Sequence, residues 1–255
     1  MLIEKAKKIR KRILDIAYKT GKGHLGGTLS LVDILVAIYY GGVLKYGNKE
    51  KDLLLIGKGH ACLASYAIWE DLGLLSKDLL DTFGTNGSLL GTQFDKNFLE
   101  SEYNTGSLGH VIGIGAGYAL ALKLGGNSQK KIFVVVGDGE CEEGSIWESI
   151  DFIAKNKIAG LTIIVDRNRL SVTDFIENDR LVDKFEAFGL RVIEMDGHDF
   201  YSILTAFDSI DNESVIIIFN TIKGKGISFL ENNVDSHSGI LNKEQYIQAS
   251  KELNG

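Results

Sequence analysis

Four runs of apolar, mostly β-branched residues constrain the fold of this chain more than any other feature. They are Ile132-Phe133-Val134-Val135-Val136, Leu161-Thr162-Ile163-Ile164-Val165, Leu190-Arg191-Val192-Ile193 and Val215-Ile216-Ile217-Ile218-Phe219. Each has the length of a strand, and none shows the strict apolar–polar alternation of a half-solvated one, which is the pattern of strands covered on both faces. Helical patterns lie between them, near 145–156, 180–188 and 199–208. That order predicts βαβ units and a mainly parallel sheet between helical layers, a three-layer α/β/α fold. Right-handed crossovers bring the C-terminal ends of such strands to one edge, so ligands are expected at the residues that follow each strand.

Ahead of this block, Leu2, Ile3, Ala6, Ile9, Ile13, Ile16 and Ala17 recur at helical spacing between lysines and arginines. They predict an amphipathic first helix with a solvated basic face. Further helices are expected over 29–40 and 61–72, with a Gly/Ala-rich one opening after His110. No linker, low-complexity block or internal repeat divides the chain, so 1–255 is expected to be one domain. A net charge of −6 argues against nucleic acid or an anionic membrane surface as the main partner. No apolar run approaches the ~20 residues of a membrane span, and residues 1–12 are charged without the apolar stretch of a secretory signal. Two cysteines, Cys62 and Cys141, make no disulfide framework, so a reducing cytoplasm is the expected location.

The segments that follow the first two strand candidates carry the chemistry. Gly137-Asp138-Gly139-Glu140-Cys141-Glu142-Glu143-Gly144 comes after the first, and Asp166-Arg167-Asn168-Arg169-Leu170 after the second. Glycines on both sides of an Asp let the backbone approach a ligand closely and aim the carboxylate out of the sheet. A hard cation such as Mg²⁺ takes oxygen ligands: carboxylate, amide oxygen, main-chain carbonyl, water and phosphate. The helix start after Gly144 and the Gly-rich backbone favour a diphosphate nearby. Alone, Gly137-Asp138-Gly139 reads as well as a bare turn. Paired with Asn168 thirty residues later, across one strand–helix–strand unit, it points to a shared cation.

At these residues the chain resembles the N-terminal, diphosphate-binding half of transketolase, as one subunit of a split enzyme. The similarity runs nearly end to end. Gly23-His24-Leu25-Gly26-Gly27 is similar to the family's Gly-His-Pro-Gly segment, Lys58-Gly59-His60 to its Ser-Lys-Gly-His, and Thr105-Gly106-Ser107-Leu108-Gly109 to its Thr-Gly-Ser-Leu-Gly turn. Asp196-Gly197-His198-Asp199, the stretch from Thr221 to Gly226 and the region of His237 match as well. The resemblance implies thiamine diphosphate bound through Mg²⁺, the metal held by Asp138, Asn168 and the carbonyl of Leu170. It places Gly106, Gly137, Gly139, His60 and His237 against the cofactor, Leu108 and Val172 as its apolar bed, and Lys223 as a further contact. Glu143, also beside the cofactor, joins Glu148 in a carboxylate network at a subunit interface. His24, His60 and His237 would surround the substrate hydroxyls and carry protons, a task that suits imidazole near neutral pH. The reaction implied is transfer of a two-carbon ketol unit from a ketose phosphate to an aldose phosphate. The partner implied is a C-terminal, pyrimidine-binding half in a two-plus-two assembly.

Some positions depart from the family pattern. The chain has no proline, where average usage predicts about 13, and Leu25 is among the residues that stand where the family has Pro. Gln93 occupies a position where the family commonly has a substrate-binding His, and Gly57 and Ser236 replace its Ser and Trp. Gln can donate and accept hydrogen bonds but cannot carry a proton. Three rivals stay open on the sequence: another thiamine-diphosphate lyase or synthase half, a non-catalytic cofactor-binding assembly subunit, and a generic nucleotide-binding domain. The last is the weakest, because Gly113-Ile114-Gly115-Ala116-Gly117 lies inside a helical pattern and not at a strand-to-helix turn. His110 reads as packing or a subunit contact, and His198 as structural, with Asp199 beside it as a helix N-cap.

Overall fold

Burial on both faces of the sheet organises the computed structural model, which describes residues 1–47, 51–98, 101–126, 130–170, 176, 180–237 and 240–254. The strands are β1 (Leu53–Ile56), β2 (Ile132–Gly137), β3 (Leu161–Arg167), β4 (Arg191–Asp196) and β5 (Val215–Asn220). Their order across the sheet is β1-β2-β3-β5-β4, and every pairing is parallel. In the three central strands β2, β3 and β5, odd and even positions feed two separate cores. Phe133, Val135, Ile164, Ile217 and Phe219 pack on one side, while Val134, Val136, Ile163, Ile216 and Ile218 pack on the other. Burying each such side chain stabilises the fold by roughly 1.5–3 kcal/mol, and the continuous apolar runs let every strand residue contribute.

One core is covered by α1 (Leu2–Thr20), α2 (Leu25–Tyr40), α3 (Cys62–Asp71), α8 (Phe200–Asp208) and α9 (Lys243–Asn254). The other lies under α5 (Val111–Leu124), α6 (Gly144–Lys155) and α7 (Leu181–Ala187). A short α4 (Lys77–Leu80) follows α3. The steps from β2 to β3 and from β3 to β4 run in one direction and put α6 and α7 on one face. The step back from β4 to β5 puts α8 on the other, as right-handed crossovers require. Helix α2 is the centre of the first layer: residues 25–39 are buried throughout, a largely apolar helix whose buried Ser30 and Asp33 are hydrogen-bonded to neighbouring elements.

Two expectations are corrected. The run containing Val192 and Ile193 is not buried on both faces; β4 is an edge strand with Arg191, Glu194 and Asp196 exposed. The basic face of α1 is not simply solvated. Arg12 pairs with Glu70 and Asp81, Lys5 and Lys8 with Asp71, and Arg10 is buried against Asp33. Opposite charges on α2, α3 and the segment after α4 pin α1 in place.

Candidate functional site

The register of the sheet sets the site. Gly137 of β2 pairs with Asp166 of β3, which pairs in turn with Phe219 of β5, so these strands end level and their following turns share one edge. After β1, residues 57–60 enter a 3-10 turn, Gly59–Ala61. After β2, Asp138 opens another, Gly139–Glu142. The start of α2 brings Gly27 to the same place. Together they enclose a cavity of about 310 Å³, within the range of small-molecule sites.

Its oxygen donors come from the turns after β2 and β3. Asp138 is buried; one of its carboxylate oxygens accepts the N–H of Gly139 at 2.9 Å and the other that of Arg169. Arg169 takes a left-handed φ of 59°, and the residues on either side of it, Asn168 and Leu170, both line the cavity. The Asn168 side-chain oxygen accepts the Leu170 N–H at 3.1 Å. Burial, reinforced by the charge of Asp166, pushes the Asp138 carboxyl up to about 6. A buried carboxylate beside an amide and a main-chain carbonyl offers oxygen donors that could hold a hard divalent cation.

Beneath this lies a second carboxylate. Asp166 is fully buried and accepts hydrogen bonds from Lys58 Nζ, from Thr221 Oγ1, and from Ser30 Oγ at 2.7 Å. Lys58 also donates to the carbonyl of Gly27 at 3.2 Å. One ion pair therefore ties α2, β3 and the segments after β1 and β5 together under the cavity floor. Lys223 reaches the cavity from the last of these, and burial, then the charge of Lys58, lower its affinity for a proton. Two lysines beside these oxygen donors could receive a polyanion bridged by such a cation.

The glycines make room. A Cβ on Gly27 would lie 3.0 Å from His60 Nε2, so the backbone approaches the imidazole more closely than most side chains would allow without a shift. His60 lines the cavity, and His24, the N-cap of α2, stands edge-on to it with ring centroids 5.4 Å apart. Burial lowers the proton affinity of His24, which favours its neutral form.

Of the residues expected here, His60, Leu108, Gly137, Asp138, Gly139, Glu143, Asn168, Leu170 and Lys223 line the one cavity. Gly106 sits to one side, with φ 118° and facing Gln93. Glu148 is exposed on α6. Val172 lies outside the described residues, as does the side chain of His237, whose backbone closes a 3-10 turn, Val234–His237. Gln93 is held by Thr105, whose Oγ1 donates to its side-chain oxygen at 3.0 Å. His198 is structural as expected. Its Nε2 accepts the Ile222 N–H at 2.8 Å, so its Nδ1 donates to Asp33 at 2.7 Å. Sequence reasoning quoted Gly27, Lys58, Glu140 and Asp166 within its motifs but gave none of them a role. Asp166 carried a signal, an acidic residue where an otherwise apolar run reaches the ligand edge.

The fold and this cavity define a parallel α/β protein that holds its ligand at the strand C-terminal edge, with residues that fit a diphosphate bridged by a divalent cation. The chain belongs to the transketolase family: residues 3–255 match the family described as transketolase, thiamine diphosphate binding domain. It is 36% identical to one of the subunits named for apulose-4-phosphate transketolase in Phocaeicola vulgatus, over 97% of this chain and 92% of that protein. It is 34% identical to the 6-deoxy-6-sulfo-D-fructose transketolase subunit SqwG of Clostridium sp. strain MSTE9, over 99% of this chain and 96% of that one. Among solved structures, transketolase from Campylobacter jejuni superposes with a TM-score of 0.90 at 28% identity, covering 99% of this chain and 42% of that chain. The chain thus corresponds to the N-terminal, thiamine-diphosphate-binding part of full-length transketolases and spans less than half their length.

Proposed function

We propose that this chain is one diphosphate-binding domain, 1–255, that acts as the N-terminal subunit of a split transketolase. It moves a two-carbon ketol unit from a ketose phosphate to an aldose phosphate together with a separate C-terminal subunit. The observation that carries this reading is the convergence of Asp138, Asn168 and Leu170 with Lys58 and Lys223 on one cavity. Relatives of nearly the same length are named as transketolase subunits, which supports a partner chain for this one.

When bound, thiamine diphosphate supplies a nucleophilic carbon and an electron sink for breaking the C–C bond beside a ketose carbonyl. Asp138, Asn168 and the Leu170 carbonyl would hold Mg²⁺ against its diphosphate, and Lys223 would offset the remaining negative charge. Leu108 offers apolar surface for its rings, and Gly106, Gly137 and Gly139 let the backbone come close. His24, His60 and His237 would bind sugar hydroxyls and pass protons at their ring nitrogens; the T-shaped contact between His24 and His60, which lines the cavity, supports this for the first two. Glu143, exposed at the cavity rim, would face the partner subunit, with Glu148 behind it on α6.

Calorimetric titration of the chain with thiamine diphosphate, with and without Mg²⁺, tests the site. Binding should require the metal, because an unbridged diphosphate meets the Asp138 carboxylate. Asp138→Ala and Asn168→Ala should each abolish it. Unchanged binding in both variants would remove the metal bridge from the reading.

Gln93 favours a second reading, a subunit that binds cofactor without efficient turnover. Its amide is held in a hydrogen bond with Thr105 and cannot shuttle a proton. Gln93→His in the assembled enzyme should raise kcat by up to about 10²-fold, the lower bound for general acid–base help, and leave cofactor affinity nearly unchanged. An equal or slower rate would show that the site is organised around Gln93.

A further inference from the structure

Glu140 stands among three loops of the cavity and has no part in the chemistry above. It is 3% exposed. Its Oε1 accepts the N–H of Gly109 at 3.0 Å and its Oε2 that of Gly137 at 3.4 Å. Gly109, with φ 86°, ends the Thr105–Gly109 turn that precedes α5, and Gly137 ends β2. The third loop meets Glu140 by having no side chain. A Cβ on Gly57, the residue after β1, would lie 2.3 Å from Oε1 and 2.6 Å from Oε2, with Val111 Cγ1 at 2.7 Å. Gly57 lies outside the left-handed region, so its backbone conformation does not demand glycine. A Cβ there would force the Glu140 carboxyl or Val111 to shift.

We propose that Glu140 is a positioning residue for the diphosphate cradle. One carboxylate sets the backbones of Gly57, Gly109 and Gly137 relative to each other, and residue 57 is glycine to make room for it. The link to cofactor binding rests on the function proposed above; the link between the loops does not. Two backbone N–H groups aimed at one buried side chain share its two oxygens, which holds both turns at a fixed distance. The turns they hold carry Leu108 on one side and Asp138 on the other, two residues that line the same cavity.

The experiment is a mutant cycle on the full chain, read two ways: hydrogen exchange of the peptides containing Gly109 and Gly137, and affinity for thiamine diphosphate with Mg²⁺. Glu140→Ala should lower protection of both amides and weaken binding by about tenfold, the loss expected when buried N–H donors are left without an acceptor. Protection in β3 and β5 should stay unchanged, which separates a local effect from general destabilisation. Glu140→Gln, which keeps the shape and one acceptor, should fall between parent and Glu140→Ala, and it serves if Glu140→Ala does not fold. Gly57→Ala should weaken binding alone but add little on top of Glu140→Ala, because the carboxylate it collides with is gone. Gly57→Ala with Val111→Ala is the control, and relief by that pair but not by Glu140→Ala would assign glycine at 57 to Val111 and overturn that half of the proposal. Unchanged exchange at Gly109 and Gly137 in Glu140→Ala, or multiplicative effects in the double variant, would overturn the positioning role. A parent chain that never binds the cofactor would sink the function instead, while the exchange cycle would still decide Glu140.

Discussion

At the scale of single residues, the most exacting interaction is the pair formed by Lys58 and Asp166. Asp166 is fully buried, and the Lys58 side chain is 5% exposed. Desolvating two charges is costly, and what offsets it here is the completeness of the surroundings: Ser30, Thr221 and the Gly27 carbonyl supply the remaining hydrogen bonds. Asp166→Ala would leave the ammonium of Lys58 buried without its carboxylate. Its expected cost is about 3–5 kcal/mol, measured as a lower urea midpoint, and replacing both residues with apolar ones should recover much of it. A midpoint within the error of the parent would mean that water reaches Lys58. This pair also shows why part of the site is legible in the sequence and part is not. Asp138 and Asn168 can be found because glycines and polar residues follow apolar strand runs, and His60 because Lys58-Gly59-His60 resembles a family segment. Asp166 meets Ser30, Lys58 and Thr221, and Glu140 meets Gly109, all distant in sequence, so only the assembled fold reveals these partners.

Among the elements, legibility follows local pattern. The apolar spacing of α1 marks it from Leu2 onward, and α6, α7 and α8 fall within one residue of their expected limits. β1 escapes a reading of the sequence because Leu53-Leu54-Leu55-Ile56 is four residues long and has a single β-branched side chain, so nothing in it separates strand from helix. β4 is legible as a strand but not as an edge, since only its neighbour β5 and the open side beyond decide which face is covered. The ion pairs of α1 are hidden for the same reason, as their acids lie on α2, on α3 and just after α4. Asp71, at the end of α3, is the clearest case: Lys5, Lys8 and Tyr40 each place a donor 2.6 Å from its carboxylate. These donors outweigh the effect of burial and hold its carboxyl down at about 2. A depressed carboxyl stabilises the fold above its unfolded value and loses that contribution as pH falls through the folded one. Asp71→Asn should therefore cost about 1–2 kcal/mol at pH 7. The gap between variant and parent should close as pH drops from about 4 towards 2. Denaturation curves across that range check it, and a gap independent of pH would show that shape and not charge matters at Asp71.

The whole molecule carries the last prediction. The cavity is open on one side, and α5 and α6 beside it leave large apolar side chains in solvent: Tyr118 is 40% exposed, Leu124 79% and Phe152 41%. Exposed side chains of this size, gathered on two neighbouring helices, fit a protein interface better than a free surface. The chain also spans only 42% of the full-length transketolase it superposes on. Homologous halves commonly pair around a two-fold axis, which makes two of these chains with two C-terminal subunits the expected assembly. Purified alone, with thiamine diphosphate and Mg²⁺ in excess, the chain should not transfer a ketol unit from a ketose phosphate to an aldose phosphate. With its C-terminal partner it should. Tyr118→Asp together with Phe152→Asp should leave the fold and metal-dependent cofactor binding intact while weakening assembly, because both side chains lie outside the cavity and the two cores. Sedimentation of the mixed subunits, run alongside the transfer assay, separates the steps. Robust turnover by the chain alone would refute the split-enzyme reading, and assembly that survives both substitutions would move the interface away from α5 and α6.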